Sequence, residues 1–192
     1  PIFLEFNGQS TATPPKNYYR ELNLETAIQK TQYMVDGIQY SREILANFPD
    51  DVIALRIKAD KPGTLSFRAW FEHRASQISR GEHGFLDLAE HDGFDVLSTY
   101  GQTGSGGVHY RATMKAMVKD GTHKAIGEYL IIENATEVVL YLAATTSFYT
   151  PVEKLKELLK TKVNNAATSG YENIKANHIS DYQKLFKRVE LK

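Results

Sequence analysis

The sequence has no cysteine, no net charge and no long hydrophobic run. The absence of cysteine excludes disulfides, thiolate metal ligands and a cysteine nucleophile. The 23 basic residues are balanced by 23 acidic residues, so the chain lacks the positive field expected of a protein that binds nucleic acid or an anionic membrane. No apolar stretch approaches the roughly 20 residues that a membrane-spanning helix needs. We therefore expect neither a nucleic-acid partner nor a membrane partner.

The chain does have enough apolar residues to fill a sizeable core. Hydrophobic residues make up 42% of its 192 residues, which predicts one folded domain, with or without an appendage, rather than a disordered chain. The sequence begins at Pro1 without a methionine and runs directly into an alternating, strand-like segment. No signal peptide is recognisable. We interpret the chain as a piece of a larger protein, truncated at the N-terminus of its first domain.

Turn signals between alternating apolar segments predict an antiparallel sheet. Asp36-Gly37 separates two apolar-rich runs and indicates a hairpin, because both central residues of such a turn need positive φ. Asp120-Gly121 is a second turn of this type. The wholly apolar run 138–144 is typical of a central strand covered on both faces. The pattern predicts strands at 19–24, 28–35, 38–48, 52–59, 64–71, 94–102, 108–119, 124–132 and 137–146, with a short one near 85–88.

After residue 150 the apolar residues recur at helical intervals. One helix is predicted from Val152, with Thr150 as its cap and Pro151 in its first turn. A second helix is predicted from about 171 to 189. The predicted fold class is therefore mainly β: a large antiparallel, supersandwich-like β-sandwich over residues 1–150, followed by two C-terminal α-helices within 151–192.

The histidines and glycines favour structural roles over metal or cofactor binding. His73, His83 and His91 lie near acidic residues, but they lack the fixed spacing of zinc ligands, so solvated loop histidines are the favoured interpretation. His178 falls on the apolar stripe of the second helix and is predicted to be a core residue. The glycine-rich stretch 101–107 precedes a strand pattern, not a helix, and so indicates a hairpin turn instead of a phosphate cradle. No metal and no cofactor is predicted.

The aromatic residues are ambiguous. Tyr18, Tyr19, Tyr33 and Tyr40 would stack on sugars if they were exposed, but aromatic residues are also good strand formers. Packing within the sheet is therefore their default role. Trp70, beside Phe71, is the candidate sugar-stacking residue.

Four segments together resemble a known family. They are YRELNLETA, YSREILANFPDDVIALRIKADKPGTLSF, TTSFYTP and HISDYQKLF. In this order and spacing they resemble the N-terminal β-sandwich, and the following helical link, of glycoside hydrolase family 95, the inverting α-L-fucosidases. The resemblance covers nearly the whole chain and is weakest over 74–94.

The resemblance implies a non-catalytic role for this chain. In that family the catalytic carboxylate and asparagines lie in an (α/α)6 barrel downstream, and this chain ends before such a barrel begins. It is predicted to be inactive alone and to support the barrel of the same polypeptide. The implied substrate of the parent is a fucosylated glycan, with an α-L-galactoside also open, and the implied location is periplasmic or extracellular. Within residues 151–192, taken as a linker, we expect one of Leu185 and Phe186 to face the sandwich and the other to face the barrel.

The acidic pairs are interpreted against this background. An inverting glycosidase needs two carboxyl groups about 6.5–9.5 Å apart. Asp50-Asp51 follows Pro49 in a turn, and Glu90 and Asp92 fall in a charged loop, so surface roles are favoured for all four and no catalytic residue is predicted. Two alternatives to the supporting role stay open. A free-standing carbohydrate-binding module would bind sugars through exposed aromatic residues, and a purely structural β-sandwich module would not.

Overall fold

The computed structural model describes residues 1–7, 14–72 and 88–188. Within these ranges the chain forms two antiparallel sheets followed by two α-helices, so the predicted fold class is confirmed. None of the helices in these ranges is long and apolar enough to cross a membrane. The elements are β1 Ile2–Phe6, β2 Lys16–Asn23, β3 Ile28–Val35, β4 Ile38–Asn47, β5 Val52–Ala59, β6 Leu65–Phe71, β7 Leu88–Asp92, β8 Val96–Gln102, β9 His109–Lys119, β10 Thr122–Ile126, β11 Tyr129–Ala135, β12 Glu137–Thr146, a 3₁₀ turn Val152–Lys154, α1 Leu155–Ser169 and α2 Tyr171–Phe186.

The larger sheet has eight strands in the order β2-β3-β4-β5-β12-β9-β8-β7, and the smaller has four in the order β1-β6-β11-β10. The smaller sheet packs on one face of the larger, and the helices pack on the other. Strand β12 lies in the middle of the larger sheet and alternates between the two layers. Val138 and Leu140 enter the core between the sheets, while Val139 and Tyr141 enter the core under the helices. This double coverage explains why the run 138–144 is apolar throughout.

The predicted strand at 124–132 is wrong, because this segment folds back on itself. It contains most of β10 and the first half of β11, which pair as a hairpin with Ala125 opposite Leu130. Gly127, at φ +58°, makes the turn. Because apolar residues lie on both sides of this glycine, the sequence pattern predicts one longer strand instead of a hairpin.

The Asp120-Gly121 turn joins strands of different sheets instead of forming a hairpin within one sheet. Strand β9 belongs to the larger sheet and β10 to the smaller. A Cβ atom on Gly121 would lie 2.7 Å from the Cα atom of Ala135, so glycine is needed here for close approach to β11.

The predicted start of the first helix is also wrong. Thr150 makes no capping hydrogen bond, because a 3₁₀ turn follows Pro151 and α1 begins only at Leu155. Of the short strand predicted near 85–88, only Leu88 lies within the described residues, where it is the first residue of β7. Residues 73–87, which include His73 and His83, lie outside the described residues.

Candidate functional site

The two ends of the sandwich differ in the side chains that they expose. The connections β3–β4, β5–β6, β7–β8, β9–β10 and β11–β12 meet at one end, where Asp60 N donates to Gln39 O and Thr136 N donates to Lys119 O. We call this the polar end. Its turns are rich in aspartate and glycine, and Phe94 is its exposed aromatic residue. The opposite end, which we call the apolar end, is defined by Ile2, Leu24, Phe48, Phe148, Tyr149, Leu185 and Phe186, all of them exposed.

Phe48 is the central residue of the apolar end. It lies in the β4–β5 turn with 84% of its surface exposed. On one side is a cleft of about 450 Å³ between the sheets, bounded by Phe48, Phe71 and Leu142. On the other is a groove of about 520 Å³ between the β4–β5 turn and α2, bounded by Phe48, Tyr182 and Leu185. One aromatic ring thus separates two apolar depressions.

An aromatic pair, Phe148 and Tyr149, follows strand β12 at the apolar end. Phe148 and Tyr149 are 68% and 91% exposed, and their rings meet edge to face with centroids 4.6 Å apart. The backbone before them is fixed, because Ser147 N donates to His109 O at 2.8 Å and His109 N donates to Ser147 Oγ at 2.9 Å. The pair is therefore exposed on an ordered support.

Helix α2 is held against the β2–β3 turn by three consecutive carbonyl groups. Tyr182 Oη donates to Leu24 O at 2.8 Å, and Gln183 Nε2 donates to Glu25 O at 3.1 Å. His178 Nε2 lies 2.9 Å from Thr26 O, which requires the proton on Nε2 because a carbonyl can only accept. The predicted core position of His178 is confirmed by its burial.

A charged cluster fixes the start of α2 on the larger sheet. Glu43 Oε2 accepts from Arg56 Nη2 at 2.7 Å, from Tyr171 Oη at 3.0 Å and from Lys175 Nζ at 3.0 Å. The Arg56 guanidinium also lies 4.0 Å from the centre of the Tyr171 ring. Burial alone would raise the pKa of Glu43, but Lys175 and Arg56 outweigh it and lower that pKa. Burial, reinforced by Glu43, raises the pKa of Tyr171.

Three of the four acidic residues considered from the sequence, namely Asp51, Glu90 and Asp92, form ion pairs. Glu90 pairs with Arg111 and, at 2.7 Å, with Lys156 of α1. Burial tends to raise the pKa of Glu90, but the hydrogen bonds from these two cations outweigh it and lower that pKa. The pairs Asp92–Lys160 and Asp51–Lys162 also tie the larger sheet to α1.

The carboxylates of Glu90 and Asp92 do not suit acid catalysis. The hydrogen bond from Lys160 lowers the pKa of Asp92, as the cations around Glu90 lower that of Glu90. A glycosidase general acid needs a raised pKa. The ion pairs of Glu90 and Asp92 with lysines of α1 instead hold this helix on the larger sheet.

Trp70 lies in an aromatic row on the outer face of the smaller sheet. Its ring stacks on Phe3 at 5.4 Å between centroids and meets Tyr129 at 5.7 Å in an edge contact. One face of the indole is therefore covered by Phe3, and sugar contact by Trp70 stays a prediction. Tyr33 and Tyr40 are buried and stack on each other, whereas Tyr18 and Tyr19 are exposed on strand β2.

The expected division between Leu185 and Phe186 is wrong for this chain. Leu185 is 62% exposed and Phe186 is 40% exposed, so neither is enclosed by the sandwich. The ring of Phe186 stacks on Tyr182 with centroids 5.3 Å apart. A barrel-facing role for either residue stays a prediction.

The glycine-rich stretch forms the predicted turn, between β8 and β9, in which a Cβ atom on Gly107 would lie 2.1 Å from Thr103 O. His91 is exposed on β7. Over the described ranges no group of three or more histidine, aspartate and glutamate side chains is placed to hold a metal ion. The absence of a metal site around His73 and His83 stays a prediction.

Comparison with known proteins identifies the domain. A family model described as the N-terminal domain of glycosyl hydrolase family 65 matches residues 1–151. The chain belongs to this family. It is also 31% identical to Alpha-L-fucosidase 2 of Arabidopsis thaliana, over 98% of this chain and 25% of that protein.

A solved structure, titled a putative kojibiose phosphorylase from human microbiome, shares the fold of this family 65 N-terminal domain. Its TM-score is 0.65 over 97% of this chain and 27% of that one, at 9% identity. The chain thus spans about a quarter of the length of both proteins.

Sequence reasoning missed most of the apolar end of this N-terminal domain. Phe48 and the Phe148-Tyr149 pair stand next to Pro49 and close to Pro151, in segments that the proline already marks as turns. Large aromatic residues in such turns have no strand partner, and this signal could have identified them as an exposed surface.

Proposed function

We propose that this chain is the non-catalytic N-terminal domain of an α-L-fucosidase-like glycoside hydrolase, and that it packs on and supports a catalytic (α/α)6 barrel of the same polypeptide. The observation that carries the proposal is the match to a glycosyl hydrolase N-terminal domain over residues 1–151. The similarity to Alpha-L-fucosidase 2, which covers almost all of this chain but a quarter of that protein, favours a fucosidase as the parent.

The finer assignments belong to the same proposal. The resemblance to glycoside hydrolase family 95 supports hydrolysis of terminal α-L-fucosides with inversion, a fucosylated glycan as substrate of the parent, and a periplasmic or extracellular location. The side chains are consistent with a supporting role, because cations around Glu90 and Asp92 lower the pKa of both carboxylates. Such ion pairs stabilise the packing of α1 on the sheet, and they leave no protonated carboxyl group that could donate a proton to a leaving group.

Hydrolysis of an aryl α-L-fucoside tests the proposal. The 192-residue chain should show no turnover, and the longer polypeptide that contains it should release the aryl group with inversion at the anomeric carbon. Turnover by the 192-residue chain that a single aspartate or glutamate substitution abolishes would contradict the proposal.

A carbohydrate-binding module is the second candidate, and one observation favours it. Tyr149 exposes 91% of its surface beside Phe148, and exposed aromatic rings are the usual contacts for sugar faces. Calorimetric titration of the 192-residue chain with fucosylated oligosaccharides distinguishes the two candidates. Saturable binding that is lost in Tyr149→Ser would favour the module, and no binding favours the supporting domain.

A further inference from the structure

We propose that Phe48 is the anchor by which this domain docks on the catalytic domain of the same polypeptide, with the groove between the β4–β5 turn and α2 receiving apolar side chains of that domain. The inference rests on the proposed function and adds the surface and the residue that make the contact. It concerns the apolar end alone and predicts no docking role for the polar end.

The first argument is that the turn holds Phe48 in a fixed outward position. Asn47 is buried, and its Nδ2 donates to Ile174 O of α2 at 2.8 Å. Asn47 Oδ1 in turn accepts from Asp50 N at 2.7 Å, and Asp51 N donates to Phe48 O at 3.2 Å. An ordered turn that exposes a phenylalanine is prepared for binding, because little conformational freedom remains to be lost.

The second argument is that the exposed apolar residues adjoin depressions able to receive a partner. The groove of about 520 Å³ extends from Phe48 to Leu185, and the cleft of about 450 Å³ lies on the other side of the same ring. Contiguous exposed apolar surface of this kind marks interaction sites in soluble proteins. A central aromatic ring between pockets is also the arrangement of an interface hot spot.

The third argument identifies the occupant. The described structure ends at Arg188, and this residue lines the same groove as Phe48. In Alpha-L-fucosidase 2 the matched region is a quarter of the protein. A domain that follows α2 in the polypeptide would therefore start beside the groove, at a high effective concentration. Lys184 and Arg188 outnumber Asp181 along the groove, so the complementary surface should be apolar with acidic side chains at its rim.

Hydrogen–deuterium exchange compares the 192-residue chain with the longer polypeptide. We expect the backbone N–H groups of Phe48, Asp50, Asp51 and 183–187 to exchange at least tenfold more slowly in the longer polypeptide, because docking excludes water from them. The amides of 92–95, at the polar end, should exchange at equal rates in both proteins.

Phe48→Asp and Phe94→Asp form a matched pair of variants. Both residues are phenylalanines in turns, 84% and 74% exposed, at opposite ends of the sandwich. Neither variant should change the melting temperature of the 192-residue chain by more than a degree or two. In the longer polypeptide, Phe48→Asp should remove the added protection at the apolar end, whereas Phe94→Asp should leave it intact.

The outcomes separate this inference from the proposed function. Fucosidase activity of the longer polypeptide together with unchanged exchange at 48–51, or with protection that survives Phe48→Asp, overturns the docking inference alone. A Phe48-dependent dimer of the 192-residue chain in sedimentation analysis also overturns it, since the surface would then bind a second copy. A longer polypeptide without fucosidase activity refutes the proposed parent and leaves the exchange result to decide whether Phe48 docks a domain.

Discussion

A single carboxylate connects two strands and a helix in this domain. Glu43 on β4 binds Arg56 on β5 and both Tyr171 and Lys175 on α2. Because the carboxylate is largely buried, removal of its charge would take the counter-charge from Lys175 and leave Arg56 with Glu172 as its remaining carboxylate partner, which costs more than the loss of one hydrogen bond. The side chain therefore matters for stability although it has no part in chemistry.

We expect Glu43→Gln to lower the free energy of unfolding by about 1–3 kcal/mol at neutral pH. The pKa of Glu43 is lowered in the folded chain from its ordinary value of 4.5, so its contribution to stability is present above that value and is lost as the pH falls through the folded pKa. Urea unfolding at several pH values checks this. The difference between wild type and Glu43→Gln should shrink as the pH falls below the ordinary value of 4.5, whereas Glu153→Gln, a substitution on the exposed surface, should track wild type throughout.

Sequence patterns predict individual residues only where periodicity fixes their environment. The apolar stripe of α2 was enough to place His178 in the core, and the structure confirms it. No periodicity identifies Glu43, because its partners Tyr171 and Lys175 on α2 are distant in sequence and meet it only in the folded chain. Thr150 was predicted as a cap from its place before Pro151, but the 3₁₀ turn that follows shifts the helix start beyond its reach.

At the scale of elements, α2 is docked by polar contacts at both ends and by apolar packing between them. Tyr171 and Ile174 enter the core under the helices. The three side-chain contacts to the β2–β3 turn follow, from His178 one helical turn later and from Tyr182 and Gln183 more than two turns later. The helix is therefore part of the folded domain, even though its last residues are exposed.

His178→Leu should lower the free energy of unfolding by about 1–3 kcal/mol, because Thr26 O would lose its partner in a partly buried site. The amides of the β2–β3 turn should then exchange faster. His91→Leu is the matched control, since His91 is exposed on β7, and it should change stability by no more than about 0.5 kcal/mol. Equal effects of the two substitutions would show that the contact to Thr26 does not hold the helix.

The exposed and buried residues of α2 should respond differently to truncation. Ile174→Ala should cost about 2–5 kcal/mol, because Ile174 is fully buried and its loss leaves a cavity. Leu185→Ala and Phe186→Ala should each cost less than about 1 kcal/mol in the 192-residue chain. Thermal unfolding of the three variants tests this. A loss at Leu185 or Phe186 as large as that at Ile174 would mean that the end of the helix is enclosed.

Most elements could be predicted from the sequence, because alternation and helical spacing survive in a single chain. The central strand β12 has the predicted bounds, Glu137–Thr146, and α2 starts at the predicted Tyr171. The β10–β11 hairpin could not be predicted, because Gly127 interrupts an apolar pattern that otherwise reads as one strand. The crossing at Asp120-Gly121 depends on which sheet each strand joins, and local sequence does not contain that information.

At the scale of the molecule, the larger sheet is shared by two cores. Its inner face packs on the smaller sheet, and Leu140 of the larger sheet and Phe67 of the smaller sheet share the core between them. Its outer face packs on the helices through residues such as Leu45 and Tyr141. The matched family model ends at residue 151, yet the helices that follow supply one side of the second core. The predicted division at residue 150 separates elements that cover each other's apolar surface.

The isolated segment 1–150 should therefore fail to fold cooperatively. Without α1 and α2, the apolar face of the larger sheet that is lined by Leu45, Ala54 and Tyr141 is exposed. Leu159, Val163, Tyr171 and Ile174 are buried against that face, and each such side chain contributes roughly 1.5–3 kcal/mol. Their sum is comparable to the whole stability of a domain of this size.

Calorimetry and urea unfolding of residues 1–150, beside the 192-residue chain, test this prediction. The shorter chain should give a weak or absent unfolding transition and should aggregate through the uncovered sheet. Val152→Ala in the full chain is a suitable control, since Val152 is an exposed residue of the same region and should leave the transition unchanged. A cooperative transition of 1–150 within a few degrees of the full chain would contradict the shared-core argument and would make the helices a separable linker.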